Sequence, residues 1–123
     1  QDAVLEIVSQ DDVKRLPMTG TASAPAANGR YIWSRAGRLG ALVASNLPPL
    51  PEGRSYCMWI VYEHAWISGG LFDVDERGTG RLIVRDLGDG QDHGAFRGFA
   101  VTVEPSSGAK EHTGAMVLQS GLE

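Results

Sequence analysis

Residues 47–61 read LPPLPEGRSYCMWIV, and residues 99–105 read FAVTVEP. Proline lacks a backbone N–H, so the proline-rich start of the first stretch is expected to lie outside a sheet. The aromatic and β-branched run that follows is apolar at both odd and even positions, which is typical of a strand covered on two sides. The second stretch alternates, with Phe99, Val101 and Val103 on one side, and predicts a half-buried antiparallel strand. Both stretches indicate β-structure.

The composition extends this interpretation to the whole chain. The 123 residues fit one domain, and 16 glycines and 6 prolines against 42% hydrophobic residues favour many short segments joined by tight turns. About eight short apolar runs follow one another at spacings near 8 to 12 residues, with no helical run between them. The prediction is an all-β fold, a two-sheet antiparallel β-sandwich of about eight short strands.

The domain is predicted to occupy residues 13–123, preceded by a weakly patterned segment at residues 1–12. Its first strand is expected to be short and to stop at Pro17, because proline interrupts a hydrogen-bonded ladder. The chain opens on Gln1 without a methionine and has no apolar run near the ~18 residues that a membrane span needs. We therefore expect that any targeting or anchoring segment has been removed.

Charge and cysteine content exclude several functions. The formal net charge is −4, and the 11 basic residues are scattered without a stripe that could follow phosphates, which argues against nucleic acid as a partner. Cys57 is the only cysteine, so neither an internal disulfide nor a thiolate metal cluster can form. Its apolar neighbours favour a small buried side chain over a reactive nucleophile.

Two acidic segments resemble cation sites but fit them poorly. Residues 73–78 begin like a calcium loop, D-x-D-x-x-G, yet Arg77 stands at the fifth position and Val84 at the twelfth, where a carboxylate should close the site. A charged hairpin turn is the better interpretation. Three aspartates recur in a glycine-rich segment and could hold a hard cation weakly, although a solvated loop is favoured: Asp86, Asp89 and Asp92.

No metal centre, cofactor or catalytic constellation is predicted. The three histidines lack metal-ligand spacing and lie in polar contexts: His64, His93 and His112. Residues 107–110 match S-x-x-K, but the companion motifs of that chemistry are missing from the sequence. The sequence therefore favours a protein that is not an enzyme.

Several separated motifs resemble one family. Residues 49–59 follow P-L-P-x-G-x-x-Y-x-x-W, and G-L-F, V-T-V-E-P and T-G follow in order along the chain. Together they resemble the C-terminal extracytoplasmic domain of membrane-bound anti-sigma factors of the RskA type. The motif residues that match are Pro49, Pro51, Gly53, Tyr56, Trp59, Gly70, Phe72, Thr102, Glu104, Pro105, Thr113 and Gly114. The chain departs from the family at Cys57-Met58, where Gln-Leu is frequent, and at His112 and Ala115, where prolines are usual.

The resemblance implies a role and a location. It implies a β-rich outer domain of a single-pass membrane protein, whose missing N-terminal part holds an extracytoplasmic-function sigma factor inside the cell. Membrane proteases would be further partners, and residues 1–12 would lie next to the membrane. A homodimer is possible. The alternative is a secreted β-sandwich that binds carbohydrate or protein through Tyr31, Trp33 and Trp66, although a core role for these aromatics is favoured.

Overall fold

The chain is all-β, as the sequence predicts. The computed structural model describes residues 13–34, 39–85, 94–108 and 114–120. The predicted N-terminal segment at residues 1–12 lies outside them, and so does Thr113. The strands are β1 (Val13–Gly20), β2 (Asn28–Ser34), β3 (Leu39–Ser45), β4 (Arg54–Tyr62), β5 (Trp66–Phe72), β6 (Gly80–Arg85), β7 (Phe96–Pro105) and β8 (Met116–Ser120).

The eight strands form one antiparallel sheet in the order β5-β4-β7-β8-β1-β2-β3-β6. The edge strands β5 and β6 curl towards each other, since a Cβ built on Gly70 would lie 3.4 Å from Leu82 Cδ1. The arrangement is therefore barrel-like and nearly closed. The predicted division into two sheets is not confirmed, because hydrogen-bonded pairs run without interruption from one edge strand to the other. Strand count and alternation are the same in both architectures, so the sequence pattern could not separate them.

The interior of the barrel is filled by side chains. Its largest fully buried members come from five strands: Met18, Tyr31, Leu42, Tyr56, Met58 and Leu118. Opposed residues such as Tyr31 and Leu42 point to the same face, which lets several strands contribute to one core. This core holds the sheet in its curled form and sets the positions of the side chains at both ends of the barrel.

β4 is buried on both faces, as predicted. Tyr56, Met58 and Ile60 point into the barrel, whereas Cys57 and Trp59 point outwards and are also buried. A second hydrophobic cluster covers the outer face, and we call it the outer cluster: Cys57, Trp59, Val61 and Ala100, with Trp66, Leu71 and Met116 packed against them.

The prediction that β7 is half-buried is wrong. Its outward side chains Ala100, Thr102 and Glu104 are 0%, 1% and 0% exposed. The backbone approaches this face just before β8, where Gly114 N donates a 3.1 Å hydrogen bond to Glu104 Oε2. Glutamate at an alternating position normally marks a solvated face, so the local pattern alone pointed the wrong way.

β1 does not stop at Pro17. It continues to Gly20, and Pro17 is paired with Arg30 of β2. On the other side, the described part of β8 pairs with β1 at Thr19 and Gly20 alone. A proline is tolerated where a strand has a neighbour on one side only, which explains the longer strand.

Candidate functional site

A buried polar network joins three of the separated sequence motifs. Trp59 Nε1 on β4 donates a 2.8 Å hydrogen bond to Thr102 Oγ1 on β7. Thr102 Oγ1 in turn donates at 2.6 Å to Glu104 Oε2, which also accepts a 3.1 Å bond from the backbone N–H of Gly114. We call these four residues the Trp-Thr-Glu network. It links the central strand, the strand beside it and the segment that leads into β8.

The network solves the problem of a fully buried carboxylate. Removing a carboxylate from water is costly unless hydrogen-bond donors replace the solvent. Glu104 receives two such donors, and one of them comes from the chain that folds over it. Gly114 is required there for space, because a Cβ would lie 1.6 Å from Val103 O. The T-G motif thus ends in the glycine that lets the backbone approach β7.

The proline-rich approach to β4 is tied to the barrel by Tyr56. The Tyr56 hydroxyl donates to Pro48 O, and its ring stacks on Phe72 with centroids 5.7 Å apart. Gly53 has a φ of +88°, which glycine adopts without strain, and its carbonyl accepts a 2.9 Å bond from Ser106 N. This contact brings the first motif next to Pro105, the end of the V-T-V-E-P motif, which pairs with Arg54.

The remaining motif residues have structural positions as well. Gly70 has a φ of +130° and lies at the bulge where the pairing of β4 with β5 shifts after Met58. A side chain there would be strained, and the bulge lets the edge strand bend towards β6. Pro49 and Pro51 are exposed and line a shallow cavity of about 450 Å³ beside Tyr56. Thr113 lies outside the described residues.

The D-x-D-x-x-G segment is a hairpin turn. Asp75 Oδ1 accepts backbone hydrogen bonds from Thr79 N at 3.0 Å and Arg77 N at 2.9 Å, and these bonds lower the pKa of the Asp75 carboxyl. These two bonds to the Asp75 side chain hold the backbone of residues 75–79 in the turn. Within the described parts of the chain, no group of three or more His, Cys, Asp or Glu side chains is arranged to hold a metal ion. The predicted acidic loop with Asp86, together with two of the three histidines, falls outside those parts.

Cys57 is the small buried side chain that the sequence predicted. It is 1% exposed, and its Sγ lies 3.5 Å from Ser68 Oγ. Burial raises the pKa of the thiol, an effect that the contact with Ser68 only partly offsets. A protonated, covered thiol is a poor nucleophile.

The aromatic platform considered for a secreted binding module does not form. Tyr31 is 0% exposed inside the barrel, and Trp33 packs beside it with ring centroids 5.8 Å apart. Trp66 lies on the outer face against Trp59, at a centroid distance of 6.3 Å. The core role favoured for these aromatics is confirmed for Tyr31.

The structure reveals a cavity that sequence reasoning missed. A cavity of about 220 Å³, which we call the aromatic cavity, opens at the end of the barrel where β4 ends and β7 begins. Its lining residues are Trp33, Ile60, Tyr62, Phe96 and Phe99. One signal in the sequence was Phe96, a large apolar residue at the end of a polar segment, and it is 47% exposed. Large exposed apolar side chains at a concave site point to binding.

The fold and the motif residues together describe a small all-β module whose motifs serve its architecture. The family described as "Anti-sigma-K factor rskA, C-terminal" matches residues 1–116, and the chain belongs to this family. Membership places it among anti-sigma factors, a regulatory class and not a class of enzymes. In the described parts of the chain, no helix has the length and apolar character to cross a membrane.

Two curated relatives carry related names. Anti-sigma-K factor RskA of Mycolicibacterium vanbaalenii is 32% identical over 98 residues, which cover 80% of this chain and 36% of that protein. "Dysfunctional anti-sigma-K factor RskA" of Mycobacterium bovis is 28% identical over 114 residues, which cover 91% of this chain and 47% of that protein. The chain thus spans less than half the length of either relative. No solved structure matches the chain.

Proposed function

We propose that this domain is the extracytoplasmic sensor domain of a membrane-bound anti-sigma factor that controls an extracytoplasmic-function sigma factor through regulated proteolysis. The observation that carries the proposal is the family match over residues 1–116. The relatives named anti-sigma-K factors are much longer than this chain, which leaves room in them for a sigma-binding part and a membrane anchor. Membrane proteases are the further partners. Self-association is a separate question, which sedimentation at rising protein concentration answers.

The regulatory step proposed here is shielding of a cleavage site. Residues 1–12 would connect the barrel to the membrane, and β1 begins directly after them at Val13. Within the described residues, the first part of β1 pairs with β2 alone, since β8 reaches it only at Thr19 and Gly20. A strand held on one side opens more easily than one held on both, so β1 is a weak point of the sheet. Local opening there would expose the connecting segment to proteases.

The stability of the outer cluster and the core would therefore set the basal rate of cleavage. A domain that spends more time locally open is cut more often when opening is fast compared with cleavage. Changes that weaken packing should then release the sigma factor without any signal.

The experiment places Trp59→Ala in the full-length protein and reads transcription from a promoter that depends on the sigma factor. Glu52→Ala, in the exposed loop before β4, is the matched control. The expected result is raised promoter activity and a cleaved anti-sigma factor with Trp59→Ala, and unchanged behaviour with Glu52→Ala. Unchanged promoter activity, with the Trp59 variant uncleaved and at normal level, would contradict the shielding mechanism.

A further inference from the structure

One end of the barrel is the end at which the chain enters the domain. Neighbouring strands are antiparallel, and odd- and even-numbered strands alternate in the sheet. The odd-numbered strands therefore begin, and the even-numbered strands end, at the same end of the barrel, which we call the entry end. Residues 1–12 lead into β1 there, because β1 begins at Val13. The loop before β4 and the turn at Asp75 lie at the opposite end.

The aromatic cavity belongs to the entry end. Tyr62 is the last residue of β4, and Phe96 is the first residue of β7. The rings form a continuous row, with centroids 6.2 Å apart for Tyr62 and Phe96, 5.2 Å for Phe96 and Phe99, and 5.7 Å for Phe99 and Trp33. Together with Ile60, these four rings line about 220 Å³.

The barrel covers this aromatic surface only in part. Phe99 is buried, Trp33 and Tyr62 are half-buried, and Phe96 is 47% exposed. Among the described residues, Phe96 is the one large hydrophobic side chain that is exposed. Exposed apolar surface at a concave place marks an interaction site. A partner with an apolar surface should therefore cover the row of rings.

The position of the row indicates which partner this is. In the proposed function, residues 1–12 connect the barrel to the membrane, and twelve residues span about 40 Å at most. The entry end thus stays close to the bilayer, and a tether of this kind gives an effective concentration in the millimolar range, at which a weak contact is sufficient. Tryptophan and tyrosine are enriched at membrane interfaces, where their rings lie at the level of the headgroups. Trp33 and Tyr62 supply such rings.

Charges of both signs occur at the entry end. Lys14 and Arg15 are exposed in the first part of β1. Glu63 lies 3.5 Å from Arg97, and the connection from β6 to β7 over residues 86–93 carries three aspartates. A strong attraction to anionic lipids requires a cluster of basic residues without such acidic neighbours. The affinity for a bilayer should therefore come from the rings, and zwitterionic lipids should be sufficient.

We propose that the entry end docks on the bilayer surface, with Phe96 and the rim of the aromatic cavity among the lipid headgroups. Docking rests on the proposed function for the position of the membrane. It adds a second element to the shielding mechanism, because a docked barrel covers residues 1–12 between itself and the lipid. Proteases then reach this segment only when the barrel leaves the membrane.

The test measures which end of the tethered barrel meets the lipid. A cysteine added before Gln1 is coupled to a maleimide lipid in phosphatidylcholine nanodiscs, and Cys57 does not compete because it is 1% exposed. A spin label in the acyl chains broadens the NMR signals of residues that contact the lipid. We expect strong broadening at Trp33 and Phe96. The signals of Gly53, at the opposite end, should stay sharp.

Two variants separate docking from mere proximity to the tether. Phe96 exposes roughly 100 Å² of ring surface, and transfer of about half of this area from water to lipid corresponds to about a tenfold change in an equilibrium constant. Phe96→Ala should therefore lower the ratio of docked to undocked barrel by about tenfold, read from the broadening at Trp33. Leu50→Ala removes a half-buried apolar side chain at the opposite end and should leave this ratio unchanged. Circular dichroism checks that both variants are folded.

Three results would overturn docking. One is equal broadening at both ends of the barrel, which would mean that it tumbles freely on its tether. Another is the same broadening at Trp33 in Phe96→Ala and the wild type, because the tether alone would then explain it. The last is broadening that requires anionic lipid and disappears in 0.5 M salt, roughly the range in which surface charges are screened. None of these results bears on the promoter response of Trp59→Ala, so a failure of docking can be told apart from a failure of the proposed function.

Discussion

Replacing Trp59 with alanine should remove a large part of the free energy of unfolding. Trp59 is fully buried in the outer cluster. A buried aromatic side chain covers roughly 150–250 Å², which at about 25 cal/mol per Å² corresponds to about 4–6 kcal/mol. The unfolded chain already hides part of this area, which lowers the expected loss to about 4 kcal/mol. Loss of the indole N–H also takes a donor from Thr102 Oγ1.

Urea unfolding followed by far-ultraviolet circular dichroism measures this loss without relying on tryptophan fluorescence. With a slope of about 2 kcal/mol per M, the midpoint should fall by about 2 M. Trp59→Phe keeps most of the apolar area and should lie between the alanine variant and the wild type. Trp66→Ala is the matched comparison, because Trp66 contacts the same cluster but is only partly buried, and it should cost about 1–2 kcal/mol. If Trp59→Ala lowers the midpoint no further than Trp66→Ala, the outer cluster does not hold β4 as argued.

Three further changes test single contacts. Glu104→Ala leaves the buried Thr102 hydroxyl and the Gly114 N–H without their acceptor, and it should cost about 2–4 kcal/mol in urea unfolding. The exposed Glu52→Ala should cost less than about 0.5 kcal/mol, and equal costs would disprove the network. Tyr31→Phe removes a buried hydroxyl without a partner, so the free energy of unfolding should stay equal or rise by up to about 1 kcal/mol. The same change should relieve part of the clash that Gly40→Ala creates with the Tyr31 hydroxyl. A large loss of unfolding free energy in Tyr31→Phe would show that the hydroxyl has a partner. The pKa of Asp75 is lowered in the folded state, so the stability that its ionised carboxyl contributes is complete above about pH 4 and declines as the pH falls through the folded pKa. Asp75→Asn should therefore weaken the acid dependence of the melting temperature. Excess calcium should leave the wild-type melting temperature unchanged.

Much of the β-structure could be predicted from the sequence because its signals are local. Alternation with period two, glycine and proline at turns and a run apolar on both faces identify strands without any knowledge of their neighbours. The two-sided burial of β4 and the turn closed by Asp75 are both found as predicted. The order of the separated motifs was likewise readable from the chain and indicated the family.

The candidate sites could not be predicted, because they depend on which distant residues become neighbours. Trp59 and Thr102 are joined by the pairing of β4 with β7, and Glu104 is covered by a segment that returns ten residues later at Gly114. Seen alone, that glutamate is a polar residue on the outer side of a strand. The aromatic cavity likewise needs Trp33 of β2 beside Phe99 of β7.

By itself, the sequence determined that this chain forms short antiparallel strands, that β4 is covered on both faces and that its motifs are those of an anti-sigma family. Only the tertiary structure decided that the eight strands curl into one sheet, that Glu104 is buried and hydrogen-bonded, and that side chains of β2, β4 and β7 surround an aromatic cavity. The physical reason is that backbone conformation and alternation arise from neighbouring residues, whereas burial and hydrogen-bond partners arise from contacts between residues far apart in the chain.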